Sequence, residues 1–346
     1  MLLNADYIEP VELTGYVREA QANLPENQFQ LSAWLPNRPI DDLEYRFTRG
    51  GEGLIEAATF RAYDAESPIG HRPGLVRVSG ELPPISRKIR LGEYDRLRLR
   101  SAGADAIRSN ILTDAERMTR AVSARMELAR GDALVNGSVT INENGVIATV
   151  SFGRSGSHSV SAATPWSTIA TATPLADMLS WRSTYRTTNG VPPGAMVFSD
   201  TVLTYLLRNA EIRNLVGSTL GAPSRVSQAQ LRGILDDHGL PPWYIVDEQI
   251  NVNGSATRPI PVDKFLYLPA PVDPDSFDGT DLGAALWGTT AESLDPRYGL
   301  EEGERPGIVA GAYSTEDPIA IWTKAAGIGL PVLANPDLSF VADVAP

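Results

Sequence analysis

The run Gly153-Arg154-Ser155-Gly156-Ser157 sets a serine in a glycine-rich turn, the setting that can expose a nucleophilic hydroxyl. A nucleophile elbow needs glycine two residues to either side of the serine, and position 157 is serine. The only histidines are His71, His158 and His238, and no acid–histidine order completes a triad, so all three read as surface or cap residues. Gly50-Gly51-Glu52-Gly53 is followed by neither a Walker lysine nor a dinucleotide fingerprint, and reads as a hinge at a hairpin base. Asp273-Pro274-Asp275-Ser276-Phe277-Asp278-Gly279-Thr280-Asp281 comes nearest to an oxygen-ligand calcium loop. Phe277 takes the third ligand position, the next aspartate is one residue late, and no glutamate closes the loop, so a solvated acidic turn is expected. Asp236-Asp237 and Glu301-Glu302 are loop or helix-end acids. The absence of cysteine removes disulfides, thiolate nucleophiles and sulfur-ligated zinc. No catalytic residue, metal or cofactor is expected.

The elements that carry these residues belong to a chain of 346 residues, more than one unit at about 100–200 residues per domain. Apolar residues at 42% suit a globular core. The longest apolar stretch, Ile319 to Ala334, is interrupted by Lys324 and Pro331, so no membrane span is expected. Asp6, Glu9, Glu12 and Glu19 against Arg18 argue against a signal peptide at the start. The net charge of −12 is uneven: residues 38–130 sum to +3, 131–235 to +2 and 236–346 to −13. The basic excess is too small for nucleic-acid binding, and the asymmetry reads either as ordinary scatter on a solvated surface or as head-to-tail complementarity between copies of the chain. Only Lys88, Lys264 and Lys324 are lysines, so the other 27 bases are arginines, which can fork two hydrogen bonds to a carboxylate.

Residues 1–37 read as an arm with one helix between Pro10 and Pro25, followed by Trp34 between two prolines. Ala58, Phe60 and Ala62 alternate with Thr59, Arg61 and Tyr63, and after a turn-rich stretch from Asp64 to Gly74 a second strand runs from Leu75 to Ser79. That ribbon is too polar to fold alone and needs another surface. Thr113-Asp114-Ala115-Glu116 has the form of a capping box, and the spacing behind it predicts a helix from about Asp114 to Leu134, with Glu127 and Arg130 among the charges on the faces beside its apolar stripe. Asn144-Gly145 predicts a hairpin turn, and Gly153 to Ser161 a flexible link. Further helices are expected at Leu175–Tyr185, Thr201–Arg208 and after Ser227. Strands are expected at Trp243–Asp247, Phe265–Leu268, Ala284–Thr289, Ala310–Tyr313, Ile319–Lys324 and Leu338–Val341.

Three stretches carry a resemblance through their order over most of the chain: Gly80-Glu-Leu-Pro-Pro-Ile-Ser-Arg-Lys-Ile-Arg-Leu91; Thr164-Pro-Trp-Ser167 with Ala172-Thr-Pro-Leu-Ala-Asp177; and Tyr313-Ser-Thr-Glu-Asp-Pro-Ile-Ala-Ile-Trp322 with Leu330-Pro-Val-Leu-Ala-Asn-Pro-Asp337. With arm, long hairpin, long helix and mixed second lobe in that order, the sequence resembles the lambda-type major capsid protein E family of tailed phages. The resemblance implies an α+β chain with the Hong Kong 97 capsid fold. Its parts would be an N-terminal arm (1–40), an extended E-loop and its base (41–90) and a peripheral domain with a spine helix (91–161). An axial domain (162–305) and C-terminal strands returning to the core (306–346) would complete it. It implies hexamers and pentamers of this chain in an icosahedral head that encloses double-stranded DNA without sequence-specific binding. Implied partners are further copies, a separate scaffolding protein, a portal and a cement or decoration protein, in a virion assembled in the host cytoplasm. Trp34, Arg46, Arg49, Phe60, Arg61, Tyr63, Arg72 and Arg77 are the expected inter-subunit contacts. Some relatives weld the shell through a lysine of the E-loop. Residues 45–85 contain none, so no such cross-link is expected. An encapsulin-type cellular nanocompartment is the alternative, and an α+β hydrolase a second one.

Overall fold

Proline fixes φ near the helical value and lacks the N–H that a first turn leaves unused, so Pro10 is a favourable helix start. The computed structural model describes residues 2–3, 5–22, 29–49, 76–99, 103–143, 146–217, 223–274 and 280–345. It opens with β1 (Leu2–Leu3) and α1 (Pro10–Ala22). Leu13, Thr14 and Val17 turn inward with Ile8, and α1 packs on the long helix and on a late strand, so this part of the arm is covered by its own chain. Thr14 Oγ1 donates to the Ala310 carbonyl at 3.2 Å, and Arg18 donates to those of Ile308 (3.1 Å) and Pro306 (3.2 Å).

A 3-10 turn, Gln30–Ala33, leads to β2 (Asn37–Pro39) and β3 (Glu44–Arg49). β3 pairs antiparallel with β4 (Val76–Glu81), from Glu44↔Glu81 to Arg49↔Val76, which is the base of the expected ribbon. Its expected first strand at 58–63, its tip at 64–74 and the glycine cluster at 50–53 lie outside the described residues. β5 (Pro84–Leu91) and α2 (Glu93–Leu99) follow.

The long helix α3 (Gly103–Asn136) spans about 50 Å at 1.5 Å per residue and starts well before Asp114. Thr113 lies inside it, its Oγ1 donating back to the Ser109 carbonyl at 2.9 Å, and Glu116 accepts from the Tyr16 hydroxyl. The apolar step that runs through Met118 and Ala115 already includes Ile111 and Ile107, and burial of that stripe overrides a local capping signal. Glu127 and Arg130 are 0% and 3% exposed, not on solvent faces. The helix ends before Gly137, whose φ of 64° suits glycine, and the Arg154 guanidinium donates to the Leu134 (2.7 Å) and Val135 (2.6 Å) carbonyls.

β6 (Ser138–Glu143) and β7 (Val146–Ser151) form the expected hairpin, with its turn residues outside the described set. Gly153 to Ser161 is no loose link. Ser155 N donates to Asp337 at 2.7 Å, His158 is fully buried, and β8 (Ser159–Ser161) joins a sheet. α4 (Pro174–Asn189) and β9 (Ala195–Phe198) come next. Ser199 caps α5 (Asp200–Arg208), Asn209 caps α6 (Ala210–Val216), and Ser227 with Gln230 forms a full capping box on α7 (Gln228–Asp237). β10 (Trp243–Ile245), the small hairpin β11 (Ile250–Val252) and β12 (Ser255–Thr257), and β13 (Lys264–Leu268) lead on to β14 (Gly283–Gly288) and α8 (Ala291–Leu294). The last strands are β15 (Val309–Glu316), β16 (Ile319–Leu333) and β17 (Phe340–Asp343).

One sheet has the order β1-β15-β16-β14-β2, with β5 also on β16. Its inner face meets α1 and α3 through Met118, Val122, Met126, Ala310, Ile321 and Ala325. The other sheet has the order β10-β9-β13-β17-β8. Its core is aromatic: Trp166 stacks on Trp181 at 5.7 Å, and Phe265 meets Phe198 at 5.8 Å and Tyr267 at 4.9 Å. Each such buried ring or large aliphatic side chain contributes about 1.5–3 kcal/mol by leaving water. Ala133, Leu134 and Val135, near the end of α3, extend into this second core and tie the two sheets together.

Candidate assembly surfaces

Among the described residues β3 and β4 pair only with each other, so the ribbon leaves both main sheets. Its root is nevertheless fixed. Tyr45 and Leu82 are buried, Leu82 N donates to the Leu43 carbonyl at 3.0 Å, and Ile40 N donates to that of Trp287 at 2.8 Å. Gly80 stands opposite Tyr45 in the register, and a Cβ there would lie 2.5 Å from the tyrosine oxygen, so glycine makes room for the ring. Around this anchor Asp41, Asp42, Glu44 and Glu81 are exposed, with Glu44 directly across the ladder from Glu81.

The segment entering the root is held from below by a buried polar cluster. Glu127 Oε1 accepts from Leu31 N at 2.7 Å and Oε2 from Arg130 at 2.9 Å. Arg130 also donates to the Leu35 carbonyl (3.0 Å) and to Asn37 Oδ1 (2.6 Å), which accepts from Trp287 Nε1 as well (2.8 Å). Arg130 thus meets carboxylate, amide and carbonyl partners, which a buried guanidinium requires.

On the sheet face opposite α3, Lys88 Nζ lies 4.7 Å and the Arg90 guanidinium 5.9 Å from the centre of the Trp322 ring. β5 pairs Lys88 with Lys324 and Arg90 with Trp322, so period-two alternation gathers these groups on one face. Lys88 and Arg90 are exposed and pair with no carboxylate among the described residues. The other two lysines are engaged, Lys264 with Asp263 (3.0 Å) and Asp343 (3.1 Å), and Lys324 with Glu292. The alternation of Lys88 and Arg90 was present in the sequence; their position over Trp322 depends on a pairing between strands more than 200 residues apart.

Of the expected contact residues, Trp34 is 2% exposed, its Nε1 donating to the Pro269 carbonyl at 3.0 Å and its ring edge-on to Tyr244 at 5.4 Å. That side chain is enclosed within its own subunit. Arg46, Arg49 and Arg77 fall on β3 and β4, while Phe60, Arg61, Tyr63 and Arg72 lie outside the described residues. Among the described residues the candidate chemical groups are not brought together. Ser155 Oγ bonds Ser157 Oγ at 2.9 Å, His158 packs on Phe340 at 5.4 Å, and His238 bonds the Ile234 carbonyl at 2.8 Å. Residues 71 and 275–279 lie outside the described set, and among the described residues no group of three or more histidines or acids could hold a metal. No described helix is long and apolar enough to cross a membrane.

The family model of phage major capsid protein E matches residues 12–344. The putative capsid protein of a prophage of E. coli CFT073 is similar over 98% of this chain and 99% of its own, with a TM-score of 0.63 and 14% identity. A phage-related protein from Bordetella bronchiseptica RB50 is similar over 99% of each chain, with a TM-score of 0.60 and 11% identity. No curated protein matches by sequence.

Proposed function

The chain belongs to the phage major capsid protein E family, and from that membership we propose how its surfaces build a head. Proteins of this family are structural, not enzymatic. The chain has the Hong Kong 97-type fold, assembles into the phage capsid and resides in the virion. The match over residues 12–344 favours a phage head over a cellular nanocompartment.

In the proposed assembly, copies join as hexamers and pentamers of an icosahedral shell around double-stranded DNA. The ribbon rooted at β3 and β4 extends onto a neighbouring copy. The exposed acids Asp41, Asp42 and Glu81 at the root and the cationic face around Trp322 have opposite sign, which suits contact between copies. Residues 1–40 act as the arm, 41–90 as the E-loop and its base, and 91–161 with the last strands as the peripheral part. Residues 162–305 crowd the capsomer centre. Assembly takes place in the host cytoplasm with a separate scaffolding protein, a portal and a cement protein.

One observation carries this reading: a ribbon base, β3 and β4, anchored by Tyr45 and Leu82, which among the described residues pairs with no strand of either main sheet. Replacing residues 50–75 by Asn-Gly closes the ribbon at its base. The expected result is a subunit with native circular dichroism that yields no closed particles by electron microscopy, where the unaltered chain with its scaffold yields shells. Shells from the shortened chain would overturn the proposal.

A further inference from the structure

Two carboxyl groups meet at the start of the 3-10 turn Gln30–Ala33. From α3, Glu127 accepts the Leu31 amide at 2.7 Å; from the loop after β10, Glu248 accepts the Phe29 amide through Oε2 at 2.7 Å. Phe29 has φ 68°, a left-handed conformation uncommon for a bulky residue, which this pair of carboxyl bonds holds in place. The second oxygen of Glu248, Oε1, is buried, and among the described residues no N–H or hydroxyl donates to it. It faces Glu127. A buried carboxylate oxygen without a donor is costly beside a second carboxylate; with a proton it becomes the donor that Glu127 can accept.

The charged groups around the pair permit one negative charge, not two. From α3 come Glu127 itself and Arg130, already bonded to Glu127 at 2.9 Å, to the Leu35 carbonyl and to Asn37. From the 29–35 segment come only backbone amides. On the loop of Glu248, Asp247 is paired with Arg258.

We propose that Glu248 keeps a proton and donates it to Glu127, forming a clasp that pins residues 29–35, and with them the root of the ribbon, to the long helix. With the proton in place the clasp is closed. Without it, two like charges face each other beneath the segment that joins the arm to the ribbon, and this segment opens first. The proposal rests on contacts within one chain, so it can fail or hold independently of shell assembly.

Burial and the neighbouring Glu127 push the Glu248 carboxyl up to about 8, which agrees with the geometry. An opened segment returns Glu248 to water, where a glutamate ionises near pH ~4.3. The closed form therefore binds more protons than the open form between those values, and closure weakens as pH rises through that window.

The test is hydrogen exchange on the full-length chain from pH 5 to 9, corrected for the intrinsic exchange rate, read at the amides of residues 29–35. Their protection is expected to fall about tenfold per pH unit up to roughly pH 8 and then level off, while β13 stays constant. Glu248→Gln keeps an acceptor for Phe29 N and supplies an amide donor to Glu127 without a titrating proton, and its protection is expected to be flat across the range. A flat profile in the unaltered chain, or an unchanged slope in Glu248→Gln, would overturn the clasp. Infrared spectroscopy gives a second measurement that needs no variant. The carbonyl stretch of a protonated carboxylic acid is expected at pH 6 and lost at pH 9.5, and its absence at pH 6 would equally overturn the proposal.

Discussion

His158 shows how far a side chain's setting can depart from its composition-level expectation. It is 0% exposed, packed on Tyr185 at 5.9 Å and Phe340 at 5.4 Å, and burial lowers its pKa below the ordinary value. The folded chain resists protonation there while the unfolded chain does not. Its stabilising share is therefore intact above about pH 6.5 and is lost as the pH falls from there through the folded value. His158→Phe preserves the ring packing and removes the titration. Urea midpoints between pH 5 and 7.5 are expected to rise with pH in the unaltered chain and to rise measurably less in the variant; equal slopes would count against a neutral buried ring. Glu127 and Arg130 carry the same lesson. An i, i+3 pair of opposite charge reads as a solvated ion pair on any helix, and only the arrival of Leu31, Leu35 and Asn37 from another part of the chain encloses it.

At the scale of elements, α3 is set against a neighbouring loop by close approach. Gly131 sits where a Cβ would lie 2.1 Å from the Pro259 carbonyl oxygen, so the helix touches backbone at that point. Glycine to alanine in an exposed helix adds about 1 kcal/mol of stability. Here the sign reverses, and Gly131→Ala is expected to cost about 1–3 kcal/mol by forcing helix and loop apart, read as a lower denaturation midpoint with the helical signal retained. The stripe of α3, the Ser227 capping box and the paired strands β6 and β7 were legible because local periodicity and turn chemistry determine them. The start of α3 was not, since Thr113-Asp114-Ala115-Glu116 satisfies a local rule that burial of Ile107 and Ile111 overrides. Nor was the length of β16, which continues through Pro331. That residue lies beyond the stretch 321–328 paired with β5, where a missing N–H interrupts no ladder on that side. The cationic face at Trp322 and the buried clasp were illegible for one reason: both join segments that only the tertiary fold brings together.

For the whole molecule, the three lysines decide how a shell can be held. Lys88 lies over Trp322, Lys264 bonds Asp263 and Asp343, and Lys324 bonds Glu292, while residues 45–85 hold none. A ribbon without lysine cannot supply the amine of an isopeptide weld. Boiling purified shells in detergent is expected to release monomer as a single band, and a covalent ladder would refute this. Cohesion must then come from overlap and from charge pairs, whose exposed members weaken with salt. A last consequence lies in the order of synthesis. β17 (Phe340–Asp343) lies between β13 and β8, and β15 and β16 arrive only after residue 308. A ribosome therefore presents both sheets unfinished until residues 309–343 have emerged, and a product truncated before them has no completed body with which to compete for a place in a growing lattice.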